Sequence, residues 1–272
     1  MTFNCDKNLR GKIQQAAKFA QEANADIFTM QEPFAQNATI NDKEKARHSK
    51  QASDEGYVLD TSKYQAVLIR DRLASRQTSK TIIENEGRIM AYEFHIDKTM
   101  NLLLISNYGV VDDGSRDITK NKEKNNTRRS IQTNMQSIKN KFIKKSRSNN
   151  RTPLILIQGD LQDTITRTTK DNVSTSGSKT QHPLGILAWC NKKENRNQRF
   201  TSVVYEHTPE GEQYITRRGR GRNAGGRGMD HIAANEELSG KHERSEIDKY
   251  GAHIAIGTLD HFNLWADFNL DL

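Results

Sequence analysis

Two rhythms of apolar and polar positions run along the chain. Between Asn8 and Asn24, Leu9, Ile13, Ala16, Ala17 and Ala20 recur at steps of three and four, the spacing that gives a helix one packed face. Ile131, Met135, Ile138 and Phe142 do the same within Thr127–Lys145, predicting a second amphipathic helix whose outer face is largely basic. Apolar runs of strand length occupy 25–30 ("ADIFTM"), 56–60, 64–70, 80–84, 88–96, 101–110 ("NLLLISNYGV") and 153–158 ("PLILIQ"). Shorter strands are expected at 200–205, 213–217, 230–234, 252–256 and 262–268, and "MTFN" opens the chain as a strand. Residues 35–55 are polar and read as loop, and 164–182 is a polar stretch with Ser, Thr and Gly. Many strands with two good helices predict an α+β sandwich, two sheets packed face to face with helices on the outsides. No repeat and no domain boundary is visible, so residues 1–272 read as one domain.

Composition narrows this picture. Hydrophobic residues make up 33% of the chain, and the mean hydropathy of −0.87 implies long polar loops around a modest core. Nothing approaches the roughly 20 consecutive apolar residues of a membrane span, and no basic-then-apolar leader opens the chain. Two cysteines, Cys5 and Cys190, are too few for a disulfide framework or for a zinc site by themselves, which fits a reducing compartment.

Charge is the stronger signal. The net charge is +8, but it is concentrated. From Arg116 to Arg151 there are twelve Lys/Arg against two acids, Asp117 and Glu123, so the rest of the molecule is slightly acidic. A second cluster, "RRGRGRNAGGR" at 217–227, has five arginines and no acid. Dense positive charge favours polyanions, because binding releases their condensed counterions. Arg128, Arg129, Arg218, Arg220 and Arg222 are therefore candidate nucleic-acid contacts; a merely soluble basic surface is the competing reading.

Acidic groups recur at strand ends. "DIFTM" delivers Glu32, "LILIQG" delivers Asp160 and Gln162, "GMDHIAAN" sets Asp230 at a strand start, and "TLDHFNLWADF" sets Asp260 and His261 before the last strand. Strands side by side bring their ends to a common edge however far apart they lie in sequence. Gathered there, Glu32, Asp160, Asp230 and Asp260 would repel one another unless a hard cation neutralised them, and oxygen ligands suit magnesium. For any one acid, a solvated strand end is the simpler explanation.

The ordered set resembles the endonuclease/exonuclease/phosphatase superfamily, the fold of deoxyribonuclease I and the apurinic endonucleases. Asn4 in "TFN", Gln31-Glu32, Tyr108 in "ISNYGV", Gly159-Asp160-Leu161-Gln162, Asp230 in "GMDHI" and Asp260-His261 match that family's motifs in order, from Asn4 to Phe268. The resemblance implies a deoxyribonuclease I-like, four-layer α/β-sandwich of two mixed β-sheets flanked by helices. It implies Mg²⁺, with Mn²⁺ as a substitute, held by Glu32 with Asn4 and Asp260. It gives Asp160 the attacking water, His261 a phosphate oxygen with Asp230 as its orienting partner, and Tyr108 the phosphate or leaving group. Gln162 falls where an Asn binds the phosphate or nucleophile.

Within the superfamily the basic balance favours DNA-cutting branches. The chain looks most like the endonuclease domain of a non-LTR retrotransposon, which nicks target DNA for reverse transcription. It begins at the first strand and ends at the last, as expected of a domain lifted from a longer polyprotein with a reverse transcriptase. This implies DNA as partner, no membrane, a monomer, and an intracellular, nuclear location. Three departures from the pattern stand out: Gln162 is one methylene longer than Asn, Val111 replaces an Asn three residues after Tyr108, and Leu259 replaces a Ser before Asp260. They leave two alternatives: a catalytically impaired nucleic-acid-binding domain, and a phosphomonoesterase of small or lipid phosphates. His231 reads as a packing residue, and Trp189 and Trp265 as core.

Overall fold

The structure of the protein is a computed structural model describing residues 1–5, 7, 9–35, 40–82, 87–110, 117–165, 200–208, 216, 228–248 and 261–270; at 162–165 and 228–229 it describes the backbone alone. The first half of the chain runs β1 (Thr2–Asn4), α1 (Ile13–Glu22), β2 (Ile27–Gln31), α2 (Asp42–Ser53), β3 (Tyr57–Thr61), β4 (Gln65–Arg70), α3 (Asp71–Ala74), β5 (Gln77–Ile82), β6 (Ile89–His95) and β7 (Met100–Asn107). Then follow α4 (Ile118–Ser148), β8 (Thr152–Ile165), β9 (Phe200–Ser202), α5 (Val203–Glu206), β10 (Gly228–Asn235), α6 (Glu236–Ser239), β11 (His242–Asp248) and β12 (Asn263–Phe268).

The strands form two six-stranded sheets, ordered β11-β12-β1-β2-β4-β3 and β5-β6-β7-β8-β10-β9. Each is mixed: β1–β2 and β7–β8 pair in parallel, the other neighbours antiparallel. The two parallel pairs are the ones with a helical crossover, α1 in one sheet and α4 in the other, as parallel strands require.

Three apolar clusters account for the layers. Between the sheets lie Val67, Ile69, Leu102, Leu104, Leu154, Leu156, Ile232 and Leu264. Outside the first sheet, Ile13, Ala16, Ala17 and Ala20 of α1 pack on Phe3, Phe28 and Met30. Outside the second, Ile131, Met135 and Phe142 of α4 pack on Leu103, Ile105, Ile155 and Ile157. Strand parity explains the division: along β8 the even residues Leu154 and Leu156 face the other sheet and the odd residues Ile155 and Ile157 face α4. The same parity carries Gln158 and Asp160 toward the other sheet further along the strand.

Several expectations need correction. Residues 35–55 contain α2 where a loop is expected. Its N-cap Asn41 accepts from the Glu44 N–H, and it buries Glu44, His48 and Ala52 at successive turns. Arg10 pairs with the Glu44 carboxylate at 2.9 Å and His48 stacks on Phe34, so polar groups do the docking that apolar ones usually do. Strand β9 stops at Ser202, and Val203–Glu206 is a helical turn. Strand β11 has no counterpart in the sequence reading. The basic helix is longer than Thr127–Lys145, its start fixed by Asp117 accepting from the Thr119 and Lys120 N–H groups. The expected strands at 213–217 and 252–256 lie outside the described residues apart from Thr216. Among the described residues no helix is long and apolar enough to cross a membrane.

Candidate active site

The strands converge. The last residues of β1, the residues just after β2 and β7, the middle of β8 and the start of β10 meet at one end of the sandwich. Asp160 and Asp230 are direct partners across β8 and β10, and both have 0% exposure. Like charges directly opposite on an antiparallel pair destabilise it, so these two are held there against a cost. His261, 3% exposed, brings Nδ1 to 2.9 Å from Asp230 Oδ2. A carboxylate only accepts, so this contact puts the ring proton on Nδ1 and turns Nε2 into the nitrogen that can meet a substrate oxygen. One ligand atom from each of Asp160, Asp230 and His261 lies within 4.8 Å of the others.

The second sheet completes the cluster. Asn4 donates from Nδ2 to Asp160 Oδ2 at 2.9 Å and approaches Glu32 Oε1 at 3.5 Å. Glu32 also accepts from the Tyr108 hydroxyl at 2.5 Å, and Lys7 Nζ stands 3.9 Å away. Asn4, Glu32, Tyr108, Asp160, Asp230 and His261 are thus one connected set, drawn from residues 4 to 261.

Two backbone features make this possible. Glu32 has φ +46°, left-handed for a residue with a side chain, and its N–H donates to Tyr64 O at 2.9 Å. Such conformations cost on the order of 1–3 kcal/mol and persist only where the surroundings enforce them. Gly159 has φ +141°, and a Cβ there would sit 2.0 Å from Asn107 O. Only glycine lets β8 approach β7 this closely just before Asp160, whose carbonyl then accepts from Gly109 N–H at 2.8 Å.

Electrostatics keeps Tyr108 a donor. Burial pushes its phenol well above the ordinary tyrosine range, and the Asp160 and Glu32 charges push it further, against a smaller opposing pull from Arg88. At neutral pH the hydroxyl stays protonated.

The remaining candidates fare differently. Arg129 is exposed on α4. Arg128 is only 8% exposed, with NH2 donating to Val110 O at 3.2 Å and NH1 to Asn125 Oδ1 at 3.1 Å. That is a correction: its guanidinium packs under the chain after Tyr108 instead of standing on the basic surface. Asp260, Arg218, Arg220, Arg222, Val111 and Leu259 lie outside the described residues, and so does the Gln162 side chain. His231 is fully buried with Nδ1 3.2 Å from Ser202 Oγ, a packing role. Trp265 is half-buried under Arg244.

Three contributors are absent from the sequence reading. Thr216 accepts from Asp230 N–H at its Oγ1, 2.9 Å, and from Phe262 N–H at its carbonyl, 2.7 Å, so it ties Asp230 to the His261 segment. Tyr64 and Arg88 flank Tyr108. A lone Thr or Arg in a polar surrounding carries no local signal of such a role.

Two mixed sheets packed face to face, helices outside, and carboxylates at one end define the deoxyribonuclease I-like fold. No family model and no curated protein matches the sequence, but solved structures do. An AP endonuclease from Leishmania major matches with TM-score 0.68 at 12% identity, over 97% of this chain and 85% of that one. A 3′ phosphatase from Neisseria, bound to product DNA hairpin, matches with TM-score 0.63 at 16% identity over 98% of each chain. An AP endonuclease from Archaeoglobus fulgidus matches with TM-score 0.61 at 16% identity, also over 98% of each. At these identities the likeness is one of fold.

Proposed function

We propose that this chain is a Mg²⁺-dependent phosphodiesterase that nicks DNA. The observation that carries the reading is the convergence of Asp160, Asp230 and His261 to within 4.8 Å, joined through Asn4 to Glu32. Charges buried in this way are several kcal/mol unfavourable unless something compensates them. The donor set fits a hard divalent cation: carboxylate oxygens with an amide beside them, and no thiolate among the converged residues. Glu32 and Asn4 would hold it, with Asp260 as a further acidic ligand. When bound, such a cation neutralises charge building up on the phosphate in the transition state.

The chain's own groups supply the rest. Asp160 orients the attacking water and takes its proton. His261, oriented by Asp230 and supported by that carboxylate in its positive form, donates from Nε2 to a phosphate oxygen. Tyr108, kept protonated, donates to the phosphate or the departing oxygen. Such proton transfers are each worth roughly 10²–10⁴-fold in rate. The basic helix α4 supports a polyanionic substrate, and Arg129 with Arg218, Arg220 and Arg222 are its candidate contacts. The finer reading is a retrotransposon endonuclease: one domain spanning 1–272, monomeric, working in the nucleus and fused to a reverse transcriptase.

A second reading, a DNA-binding domain with weakened catalysis, is favoured by Gln162 standing where the resembled family has Asn. Supercoiled plasmid incubated with Mg²⁺ or with EDTA separates the two. The enzyme reading predicts metal-dependent nicking lost in Asp160→Ala and in His261→Ala. Salt-sensitive binding without nicking would support the second, and phosphate release from inositol phosphates without nicking would support a phosphomonoesterase.

A further inference from the structure

We infer that Arg88 is a positioning residue of this site: set against two stacked tyrosine rings, one from each sheet, it holds the Tyr108 hydroxyl on Glu32. The inference rests on the phosphodiesterase reading and deepens it. Tyr64 lies just before β4 of one sheet; Arg88 precedes β6 and Tyr108 follows β7 of the other. The Arg88 guanidinium carbon lies 4.4 Å from the Tyr64 ring centroid and 4.9 Å from that of Tyr108. The two rings are themselves 5.8 Å apart and tilted by 24°.

Arg88 is also bonded to the backbone that carries Tyr108. Its NH1 donates to Gly109 O at 2.6 Å and reaches Tyr108 O at 3.4 Å, while Tyr108 N–H donates to Arg88 O at 2.9 Å. The circuit then closes across the cleft. Tyr108 donates to the Glu32 carboxylate, and the Glu32 N–H donates to the Tyr64 carbonyl. Four residues from the two sheets therefore fix one another, and Arg88 is the member that touches both rings.

The neighbouring residue locks this arrangement. Gly87 has φ +57°, and a Cβ there would meet Lys63 N and Cβ at 3.3 Å, tighter than an ordinary contact. Ser62 Oγ donates to Gly87 O at 2.8 Å. The Gly87-Arg88 step is thus seated on the turn that carries Tyr64. A guanidinium fits this slot because it is planar and can stack on an aromatic face while its N–H groups bond in their own plane; an ammonium is a point charge and cannot. Tyr108 needs such a brace because a displacement of about 1 Å at a reacting group can cost on the order of 10²-fold in rate.

The test compares Arg88→Met, Arg88→Lys, Tyr108→Phe and the Arg88→Met/Tyr108→Phe double variant. In Mg²⁺-dependent plasmid nicking, Arg88→Met is expected to lower kcat by about tenfold to a hundredfold with KM little changed. Arg88→Lys should recover only part of the loss, and added guanidinium ion should partly restore Arg88→Met. The double variant should be no slower than Tyr108→Phe alone. Losses that multiply, or a rise in KM with kcat intact, would overturn the inference by making Arg88 a direct DNA contact.

A second readout needs no activity. With ring-labelled tyrosine in the metal-free protein, NMR should show a restrained Tyr108 ring that becomes averaged in Arg88→Met while the Tm holds; an unchanged ring spectrum would overturn the inference. Should Arg88→Met fail to fold, Arg88→Lys carries the same comparison. A wild-type protein that never nicks would sink the phosphodiesterase reading and leave the spectrum to decide the role of Arg88.

Discussion

The two ends of the sandwich treat charge in opposite ways. At one end Asp160 and Asp230 face each other with no exposed surface, answered by Asn4 and His261. At the other, Arg244 and Asp267 meet at 2.6 Å with side chains 74% and 43% exposed. The exposed pair is worth roughly 0–1 kcal/mol, because water screens it and ordering two side chains takes entropy. The buried pair runs against stability, since desolvating ions is expensive and like charges oppose. A fold selected for stability alone would fill those positions with apolar side chains, as it does at Leu156 and Ile232 a few residues along the same strands. The proposed function accounts for the contrast, because a bound cation would offset the larger electrostatic penalty at that end.

Removing the penalty should separate stability from activity. Asp230→Asn keeps an oxygen for His261 Nδ1–H but deletes one of the opposed charges. Without divalent cations it is expected to unfold later than wild type, by about 1 kcal/mol in denaturant titration, while nicking falls roughly 10²–10⁴-fold. A variant that loses stability and activity together would erase the difference between the two ends.

The far end offers a milder, pH-dependent effect. His207 and His242 stack with ring centroids 4.0 Å apart. Burial first, then the neighbouring His207, hold His242 below the ordinary histidine range, against smaller opposing contributions from the Arg244 backbone and the Asp267 charge. The native state therefore binds this proton less readily than the unfolded chain does. Stability from this group is complete above the unfolded histidine pKa, about 6.5, and falls as the pH drops through it. Thermal melts at pH 7.5 and 5.5 should show a lower Tm in acid, with a smaller drop in His242→Gln; equal drops in both would remove His242 from the account. The smallest effect is expected at the exposed pair, where Arg244→Ala should change stability by roughly 0.5 kcal/mol, less still in high salt.

What the sequence disclosed follows from how each element is stabilised. Helix α1 and strands β2, β7 and β8 bury apolar residues at regular steps, so periodicity found them. Helix α2 docks through Glu44, His48 and an N-cap Asn41, and its polar sequence "DKEKARHSKQAS" hides it. Edge strand β11, "HERSEID", carries charges and half-exposed positions, the composition that keeps an edge from pairing with another chain, and alternation was invisible there. In the site, Glu32, Asp160 and Asp230 stood out because a carboxylate bounds an apolar run. Thr216 and Arg88 act through a backbone N–H and through ring faces, contacts that depend on the other sheet and leave no trace in local sequence. Arg128 shows the converse: it belongs to the densest basic segment yet points inward to Val110 O.

The central claim is that the buried carboxylates gather around a divalent cation. A crystal grown with Mn²⁺ and measured for anomalous scattering addresses it directly. The account predicts a peak in the cleft in contact with the Glu32 carboxylate, weakened in Glu32→Gln. A cleft without a peak at saturating Mn²⁺, or a peak only elsewhere on the surface, would contradict it.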